Sequence, residues 1–307
     1  MRLESHIKSE YSMSVYSGLR NIILIGSLFG FHGLLNRSLI LDGVNEVLIV
    51  TQRITLVTIL MALYCFKEFR KEISLSTLKK GGLTGFLAIF LPGWTFVFAL
   101  KYISSGLQSI FISTIPLFTV IWVFLFYKEE KITKTKLFSV ILGLSGLIVL
   151  FLSGATGINS GGNLLLGGTL AIVGVQGLAL SNITNKRDSK LIPAKTYLLT
   201  QWLTGTFISI ILFLLLDVEF SILTFEGYLK LLGLVFIDIF NYSLFFYTIK
   251  RLSATFTTLV DYIVPIVGIF VGYIFLNEVI SNIFYFTLSL IFISLYLAVK
   301  DESENSS

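Results

Sequence analysis

Cysteine, histidine and charged residues are all scarce in this sequence. Among 307 residues there are one cysteine and two histidines, and charged residues make up 13%. The single cysteine, Cys65, excludes an intramolecular disulfide, and no cysteine–histidine spacing typical of a zinc site occurs. The sequence therefore predicts no metal and no cofactor. The charged fraction is also well below the roughly 25% of soluble domains, which argues against water as the main solvent.

Long apolar segments occupy nearly the whole chain. Hydrophobic residues make up 55% of the sequence, and the mean hydropathy is +0.87. A helix needs about 20 mostly apolar residues to cross the hydrocarbon core of a bilayer. Such segments predict an all-α integral membrane protein with ten transmembrane helices, named spans 1 to 10, at residues 19–36, 46–65, 83–100, 104–127, 136–153, 163–185, 196–216, 228–249, 254–276 and 281–299.

The distribution of basic residues predicts which side of the membrane each loop faces. The net charge is +5, and 19 of the 23 lysines and arginines lie in the tails and on alternate loops, within residues 2–20, 67–80, 128–136, 186–195, 250–251 and 300. Cytoplasmic loops of membrane proteins carry such an excess. The pattern predicts a multi-pass protein of the cell (cytoplasmic) membrane with both termini cytoplasmic. It also argues against nucleic acid as a partner.

The chain contains an internal repeat that reverses its direction in the membrane. A shift of 149 residues carries Thr51 onto Thr200 and Gln52 onto Gln201 without a gap. Each half holds five spans, an odd number, so the second copy enters the membrane from the opposite side. Inverted repeats recur in secondary transporters, because two similar halves can exchange conformations and expose one central site to either side. The alternative is that duplication only makes a stable bundle.

The polar segments around the spans set the expected domain limits. Because residues 1–18 are polar and mixed in charge, we expect the first apolar run to act as a signal anchor and not as a cleaved signal peptide. The predicted organisation is a cytoplasmic tail at 1–18, a five-helix repeat at 19–153, a loop at 154–162, a second five-helix repeat at 163–299 and a cytoplasmic tail at 300–307.

Short motifs in both halves resemble a known family. FGFHGLLNR at 29–37 resembles a Trp-Gly-x-x-x-x-x-x-Lys pattern, with Arg37 in place of the lysine. ALKYISSGLQSIFISTIPLFTVIWVFLFYKE at 99–129 resembles the family's run from Ala-Leu-x-Tyr through a mid-helix proline to a glutamate, and Pro265 and Glu278 repeat that spacing. Over essentially its whole length the chain resembles the drug/metabolite transporter superfamily, EamA type. The resemblance implies a cavity lined by spans 1 to 4 and 6 to 9, with spans 5 and 10 peripheral, and leaves the substrate open.

Ionisable side chains at membrane depth cost about 2.5 to 3.5 kcal/mol each on insertion scales, and this chain has three clear cases. They are Arg53 in span 2, Asp238 in span 8 and Asp261 in span 9. We predict that Arg53 presents its guanidinium to an anionic group of a substrate, typically a carboxylate. Asp238 and Asp261 are predicted to bind substrate and to exchange protons during the transport cycle. The alternative is a structural ion pair that fixes helix register.

Other polar and aromatic side chains are candidates for the lining of a substrate cavity. On span 8, Asp238, Asn241 and Tyr242 fall at positions i, i+3 and i+4, which puts them on one helix face. The remaining candidates are His32, Gln52, Trp94, Gln108, Gln176, Asn182, Gln201 and Trp202. A lone histidine or tryptophan in a span is as often a packing residue as a ligand contact, so both interpretations stay open.

Two prolines lie mid-span at equivalent positions of the repeats, Pro116 in span 4 and Pro265 in span 9. Proline removes an N–H from the helix and its ring clashes with the preceding turn, so we predict a kink at each. Their symmetric placement suggests paired gating bends. The alternative is a pair of static kinks that packing tolerates.

Two enzyme classes have partial matches in the sequence. Residues 143–146 match the Gly-x-Ser-Gly of rhomboid-type intramembrane serine proteases, but no histidine follows Ser145 to activate it. Asp238 and Asp261 lie on consecutive spans as in intramembrane aspartyl proteases, but the Tyr-Asp and Gly-x-Gly-Asp contexts are missing. No P-loop sequence occurs, which argues against ATP-driven transport by this chain. We therefore expect no enzymatic activity.

The expected function is secondary transport of a small polar metabolite, preferably an amino acid or related carboxylate compound, across the cytoplasmic membrane by alternating access. The expected partners are this small-molecule substrate and the lipid bilayer, with protons as the candidate coupling ion. One alternative is a proton-coupled drug or organic-cation exporter in which Asp238 or Asp261 binds the cation. The alternative outside transport is a membrane scaffold or intramembrane enzyme.

Overall fold

The structure is a computed structural model that describes residues 15–126, 133–188, 191–218, 222–249 and 260–305. All regular elements among these residues are helical. In chain order, the spans are Val15–Leu41; Glu46–Glu72; Leu75–Gly85, Phe86–Phe90 and Leu91–Ala99 (together span 3); Ser105–Ile112 and Ile115–Phe126 (together span 4); Lys134–Ser153; Leu164–Asp188; Ala194–Leu215; Phe225–Ile249; Val260–Leu276; and Asn282–Asn305. The predicted all-α architecture of ten spans in two five-helix repeats is confirmed.

Helix length and composition agree with a protein that crosses the membrane many times. Seven helices, those of spans 1 to 4 and 6 to 8, are long and apolar enough to cross a bilayer. Spans 5, 9 and 10 contain shorter apolar helices within the described residues, Leu137–Ser153, Ile263–Leu276 and Asn282–Leu297. The chain is a multi-pass membrane protein.

The two repeats pack against each other over most of their length. Span 1 packs on spans 8 and 9, span 2 on span 7, span 3 on spans 6 and 7, and span 4 on spans 6 and 9. One hydrophobic cluster joins Val50 and Ile54 of span 2 to Leu199 of span 7. The two halves therefore share a core. Spans 5 and 10 pack mainly on each other, in agreement with the peripheral position expected of both.

The two equivalent prolines have different surroundings. In span 4 the helix ends at Ile112 and restarts at Ile115, directly before Pro116. In span 9, by contrast, Pro265 lies inside the helix Val260–Leu276, which has no break in its secondary structure. The first repeat thus has an interrupted helix where the second has a continuous one, and paired gating bends stay a prediction.

Span 3 contains an irregularity that was not predicted from the sequence. A π-helical turn, Phe86–Phe90, directly precedes the segment Leu91–Ala99, whose second residue is Pro92. Proline cannot complete the backbone hydrogen-bond ladder and its ring crowds the turn before it, so a wider turn accommodates it. Pro92 was the available signal.

Candidate functional site

Three polar side chains from three spans meet inside the bundle. Arg53 of span 2 places Nη1 2.6 Å from Nε2 of His32 on span 1. Asp238 of span 8 places Oδ1 3.4 Å from that nitrogen, and Oδ2 3.6 Å from Nε of Arg53. Arg53 and Asp238 are each only 4% exposed. We call His32, Arg53 and Asp238 the charged cluster; the structure brings these three predicted residues together.

The pairing of Arg53 with Asp238 leaves hydrogen-bonding capacity on both residues. Their 3.6 Å separation exceeds the roughly 2.7–2.9 Å of a charge-assisted hydrogen bond. Neither Nε of Arg53 nor Oδ2 of Asp238 has a hydrogen-bond partner among the described residues. By contrast, Arg187 binds Asp188 through two hydrogen bonds of 2.8 Å. The charged cluster therefore retains one donor and one acceptor without a hydrogen-bond partner among the described residues.

Two residues outside the predicted set lie against the charged cluster. Asn36, one turn after His32, donates Nδ2 to the His32 carbonyl at 2.9 Å and lies 3.2 Å from the ring Nδ1. Gly93 of span 3 gives Arg53 room, because a β-carbon there would lie 3.3 Å from Nη2. The i, i+4 spacing of His32 and Asn36 was a usable signal; nothing in the local sequence marks Gly93 as a neighbour of Arg53.

Two aromatic side chains lie near the charged cluster. Tyr242 follows Asp238 by one turn on span 8, and its ring meets Trp202 of span 7 edge-on with centroids 5.2 Å apart. The Tyr242 hydroxyl donates to the carbonyl of Ala88 at 3.2 Å, within the π-helical turn of span 3. The indole Nε1 of Trp202 is buried and has no hydrogen-bond partner among the described residues.

The region around the charged cluster contains both buried hydrogen-bond donors and buried acceptors that lack partners among the described residues. The donors include Nε of Arg53 and Nε1 of Trp202, and the acceptors include Oδ2 of Asp238, Oδ1 of Asn241 and Oδ1 of Asn36. A buried polar group left unpaired costs about 1–3 kcal/mol, so such a set favours a small ligand that carries both acceptors and donors. No group of three metal-ligating side chains is found in the part of the chain that the structure describes.

Several predicted lining residues are bonded to other partners. Trp94 donates to Ser209 at 2.9 Å, Trp122 donates to Gln176 at 2.6 Å, Gln201 donates to Asn185 at 3.2 Å, and Gln108 donates to the Phe96 carbonyl at 2.6 Å. Gln52 is half-buried and Asn182 is exposed. The side chain of Asp261 lies outside the described residues, so its predicted roles stay predictions.

Comparisons with known proteins agree with this architecture. The EamA-like transporter family matches the chain twice, at residues 17–152 and 165–300. No curated protein matches the chain. A solved structure described only as the crystal structure of a protein is similar over 92% of this chain and 99% of its own, with a TM-score of 0.57 and 16% sequence identity. At that identity the likeness concerns the fold alone. The family match covers both halves, and the chain therefore belongs to the EamA-like transporter family of the drug/metabolite transporter superfamily.

Proposed function

We propose that this transporter carries an amino acid or a related small carboxylate compound across the cytoplasmic membrane by alternating access. The observation that carries the proposal is the incomplete pairing of Arg53, which is 4% exposed and faces Asp238 at 3.6 Å without a hydrogen bond. A guanidinium stays charged at every accessible pH. A substrate carboxylate would supply the planar, bidentate partner that Asp238 does not.

The same region suits the amino group of such a substrate. Oδ2 of Asp238 and Oδ1 of Asn241 are buried acceptors without partners among the described residues. The ring of Tyr242 and the ring of Trp202 provide aromatic surface one turn away, which favours a cation. A zwitterion places opposite charges a few ångströms apart and would engage Arg53 and Asp238 together.

Proton coupling is assigned to Asp238 with His32 as its neighbour. His32 lies 3.4 Å from Asp238 and 2.6 Å from Arg53, so these two groups compete for it. When a substrate carboxylate occupies Arg53, the charge that Asp238 feels changes, and this change couples substrate binding to proton binding. Asp261 is the second predicted proton carrier.

The test uses purified protein and matched analogues of each amino acid in a panel. For the amino acid that binds best, one analogue is the methyl ester, which lacks the carboxylate charge, and the other lacks the amino group. We expect each analogue to bind at least about tenfold more weakly than the zwitterion, because each leaves one buried charge unpaired. Uptake of the same amino acid into proteoliposomes then measures transport. Equal binding of the ester and the amino acid would remove the role assigned to Arg53.

A second candidate function is proton-coupled export of drugs or organic cations. Its specific support is the position of Asp238 beside the rings of Tyr242 and Trp202, an acid and an aromatic surface that would suit a cation without a carboxylate. Lipophilic cations in the same panel distinguish the two functions. Under the second function Asp238→Asn abolishes binding and Arg53→Ala does not, whereas under the first both substitutions weaken it.

A further inference from the structure

A second buried charge pair lies between the charged cluster and one end of the bundle. Glu278 follows Asn277, which has a positive φ of 51°, and Oε1 of Glu278 lies 3.1 Å from Nε of Arg37 on span 1. The same carboxylate accepts from the backbone N–H groups of Ser105 at 2.7 Å and Gly106 at 3.0 Å, the first residues of span 4. Arg37 and Glu278 are 7% and 6% exposed. We call Arg37, Glu278 and the first turn of span 4 the clamp.

The clamp joins four spans. Arg37 of span 1 also donates Nη1 to the carbonyls of Leu100 and Ile103, the latter at 3.1 Å, just after span 3 ends. Gly272 of span 9 makes space for the carboxylate, because a β-carbon at this position would overlap Oε2 of Glu278. Spans 1, 3 and 4 of the first repeat are thereby tied to the end of span 9 in the second.

The inter-repeat loop supports both sides of the clamp. The N–H of Ser104 donates to the carbonyl of Thr156 at 2.9 Å, and the N–H of Val279 donates to the carbonyl of Gly157 at 2.9 Å. Ser104 directly precedes span 4 and Val279 directly follows Glu278. The two segments that the clamp brings together are therefore held against one loop.

The clamp and the charged cluster share span 1. Arg37 follows His32 by five residues, or about 7.5 Å along a helix axis. Asn36, which contacts the His32 ring, is the residue next to Arg37. The clamp thus lies between the charged cluster and the end of the bundle that the basic-residue distribution predicts to face away from the cytoplasm.

We propose that the clamp is the gate on the predicted outer side, that it is closed in this structure, and that it opens when Glu278 leaves Arg37 and span 4. The inference rests on the proposed alternating access, which requires a path from the site to each side in turn. Breaking the clamp exposes a carboxylate, a guanidinium and a helix N-terminus at the end of the bundle, where water replaces their lost partners. Such a contact is reversible, although it is buried when closed.

The chemistry of the clamp makes it more than an ion pair. Glu278 adds to the cap that Ser104 provides for span 4, by accepting from the N–H groups of Ser105 and Gly106, and also pairs with Arg37; only a carboxylate side chain performs both functions. An exchange of the two charges, Arg37→Glu with Glu278→Arg, would keep an ion pair but leave the N–H groups of Ser105 and Gly106 facing a guanidinium. We therefore expect that the charge exchange does not restore closure.

The test measures access from outside the cell to a residue beneath the clamp. Gln108 lies one turn beyond Ser105 on span 4 and is 3% exposed. In a Cys65→Ser background, Gln108→Cys is labelled in intact cells with a membrane-impermeant cationic thiol reagent, without substrate. The labelling rate is expressed relative to that of Asn159→Cys, a residue of the exposed loop. Because no substrate is added, a wrong substrate class leaves this measurement unaffected.

We expect Glu278→Gln to accelerate labelling of the probe by about tenfold or more, since it removes the ion pair with Arg37 and weakens three hydrogen bonds from span 4, those of the Ser105 N–H, the Ser105 hydroxyl and the Gly106 N–H. Arg37→Gln keeps the cap and is expected to accelerate labelling less. The matched control is Glu46→Gln, which breaks another ion pair of this end, Glu46 with Lys101 at 3.0 Å, without touching the clamp. It should leave the rate unchanged.

Three outcomes would overturn the proposal. The first is unchanged labelling in Glu278→Gln and Arg37→Gln when both proteins are monodisperse. The second is equal acceleration by Glu46→Gln, which indicates general loosening of the bundle. The third is failure of both clamp variants to yield monodisperse protein, which indicates a permanent structural bond. Acceleration confined to the clamp variants, without rescue by the charge exchange, supports the gate.

Discussion

The two repeats place different chemistry at equivalent positions of a shared fold. In order, the equivalents of His32, Arg53 and Asp238 after a shift of 149 residues are Ser181, Trp202 and Ile89. The charged cluster thus has no charged counterpart. Because an ionisable group inside a membrane is costly, one copy of a charged site is favoured over two. The fold keeps the symmetry of the two repeats, while the charged cluster lacks it.

Two asparagines at equivalent positions of the repeats also have different polar partners. Asn36 contacts His32 in the first repeat. Its equivalent, Asn185, accepts a hydrogen bond from Gln201 at 3.2 Å. The same residue type therefore supports the charged cluster in one half and a neutral amide pair in the other. The asparagine at this helix position therefore makes contact with a different polar residue in each repeat, His32 in the first and Gln201 in the second.

The largest expected effect comes from removing the charge that only the first repeat carries. Arg53→Ala should weaken binding of the best amino acid by at least about 30-fold, about 2 kcal/mol, because it removes the partner of the carboxylate and leaves Asp238 buried and unpaired. Arg53→Lys should fold and bind with an intermediate affinity, since a point charge replaces a planar fork. Isothermal titration of the purified variants measures both.

A control for Arg53→Ala comes from the second repeat, at the position equivalent to another member of the charged cluster. Ser181 is the equivalent of His32, and its hydroxyl donates to the Leu178 carbonyl of its own helix at 2.8 Å. Ser181→Ala should therefore bind the amino acid like the unmodified protein. Normal transport by Arg53→Ala would contradict the assignment. So would recovery of expression when Arg53→Ala is combined with Asp238→Asn, because it would mark the two residues as a structural pair.

The next effect concerns Asp238, the only acid of the charged cluster. Asp238→Asn keeps the shape of the side chain but cannot release or take up a proton. We expect uptake driven by a pH gradient to be lost in proteoliposomes, while exchange of internal for external amino acid persists at a reduced rate. Both rates are measured with the same radiolabelled substrate. If gradient-driven uptake survives in Asp238→Asn, the proton is carried elsewhere, and Asp261 becomes the residue to test.

Hydropathy, charge and the internal repeat together predicted most of the fold. The bilayer forces each crossing segment to be a long apolar helix, so the ten spans and their inverted order are visible in the sequence. Arg53 and Asp238 stand out because they interrupt apolar runs, and the structure places them 3.6 Å apart. Their roles in binding and coupling stay predictions. From the local sequence, Gln108 and Gln201 were equally good candidates for a substrate cavity. In the structure, however, Gln108 donates a hydrogen bond to the Phe96 carbonyl and Gln201 donates one to Asn185.

Contacts between distant segments account for what the sequence did not predict. The clamp joins Ser105 to Glu278 over a separation of 173 residues, which no local pattern encodes. The two prolines illustrate the same limit. Span 4 is interrupted before Pro116, where Thr114 donates its hydroxyl to the Phe111 carbonyl, while span 9 continues through Pro265. Because both helices contain the proline, proline itself does not distinguish them.

The smallest expected effect separates the two asparagines. Asn36→Ala removes the contacts that orient the His32 ring beside Arg53, so binding of the amino acid should weaken by about threefold to tenfold, the range of one or two ordinary hydrogen bonds. Asn185→Ala, its matched control, removes the hydrogen bond from Gln201 that the described residues show, and should change binding by less than about twofold. Titration of both variants at one pH gives the comparison. Equal losses would mean that the two asparagines act through general packing of the shared core, and the functional asymmetry of the repeats would then rest on the charged cluster alone.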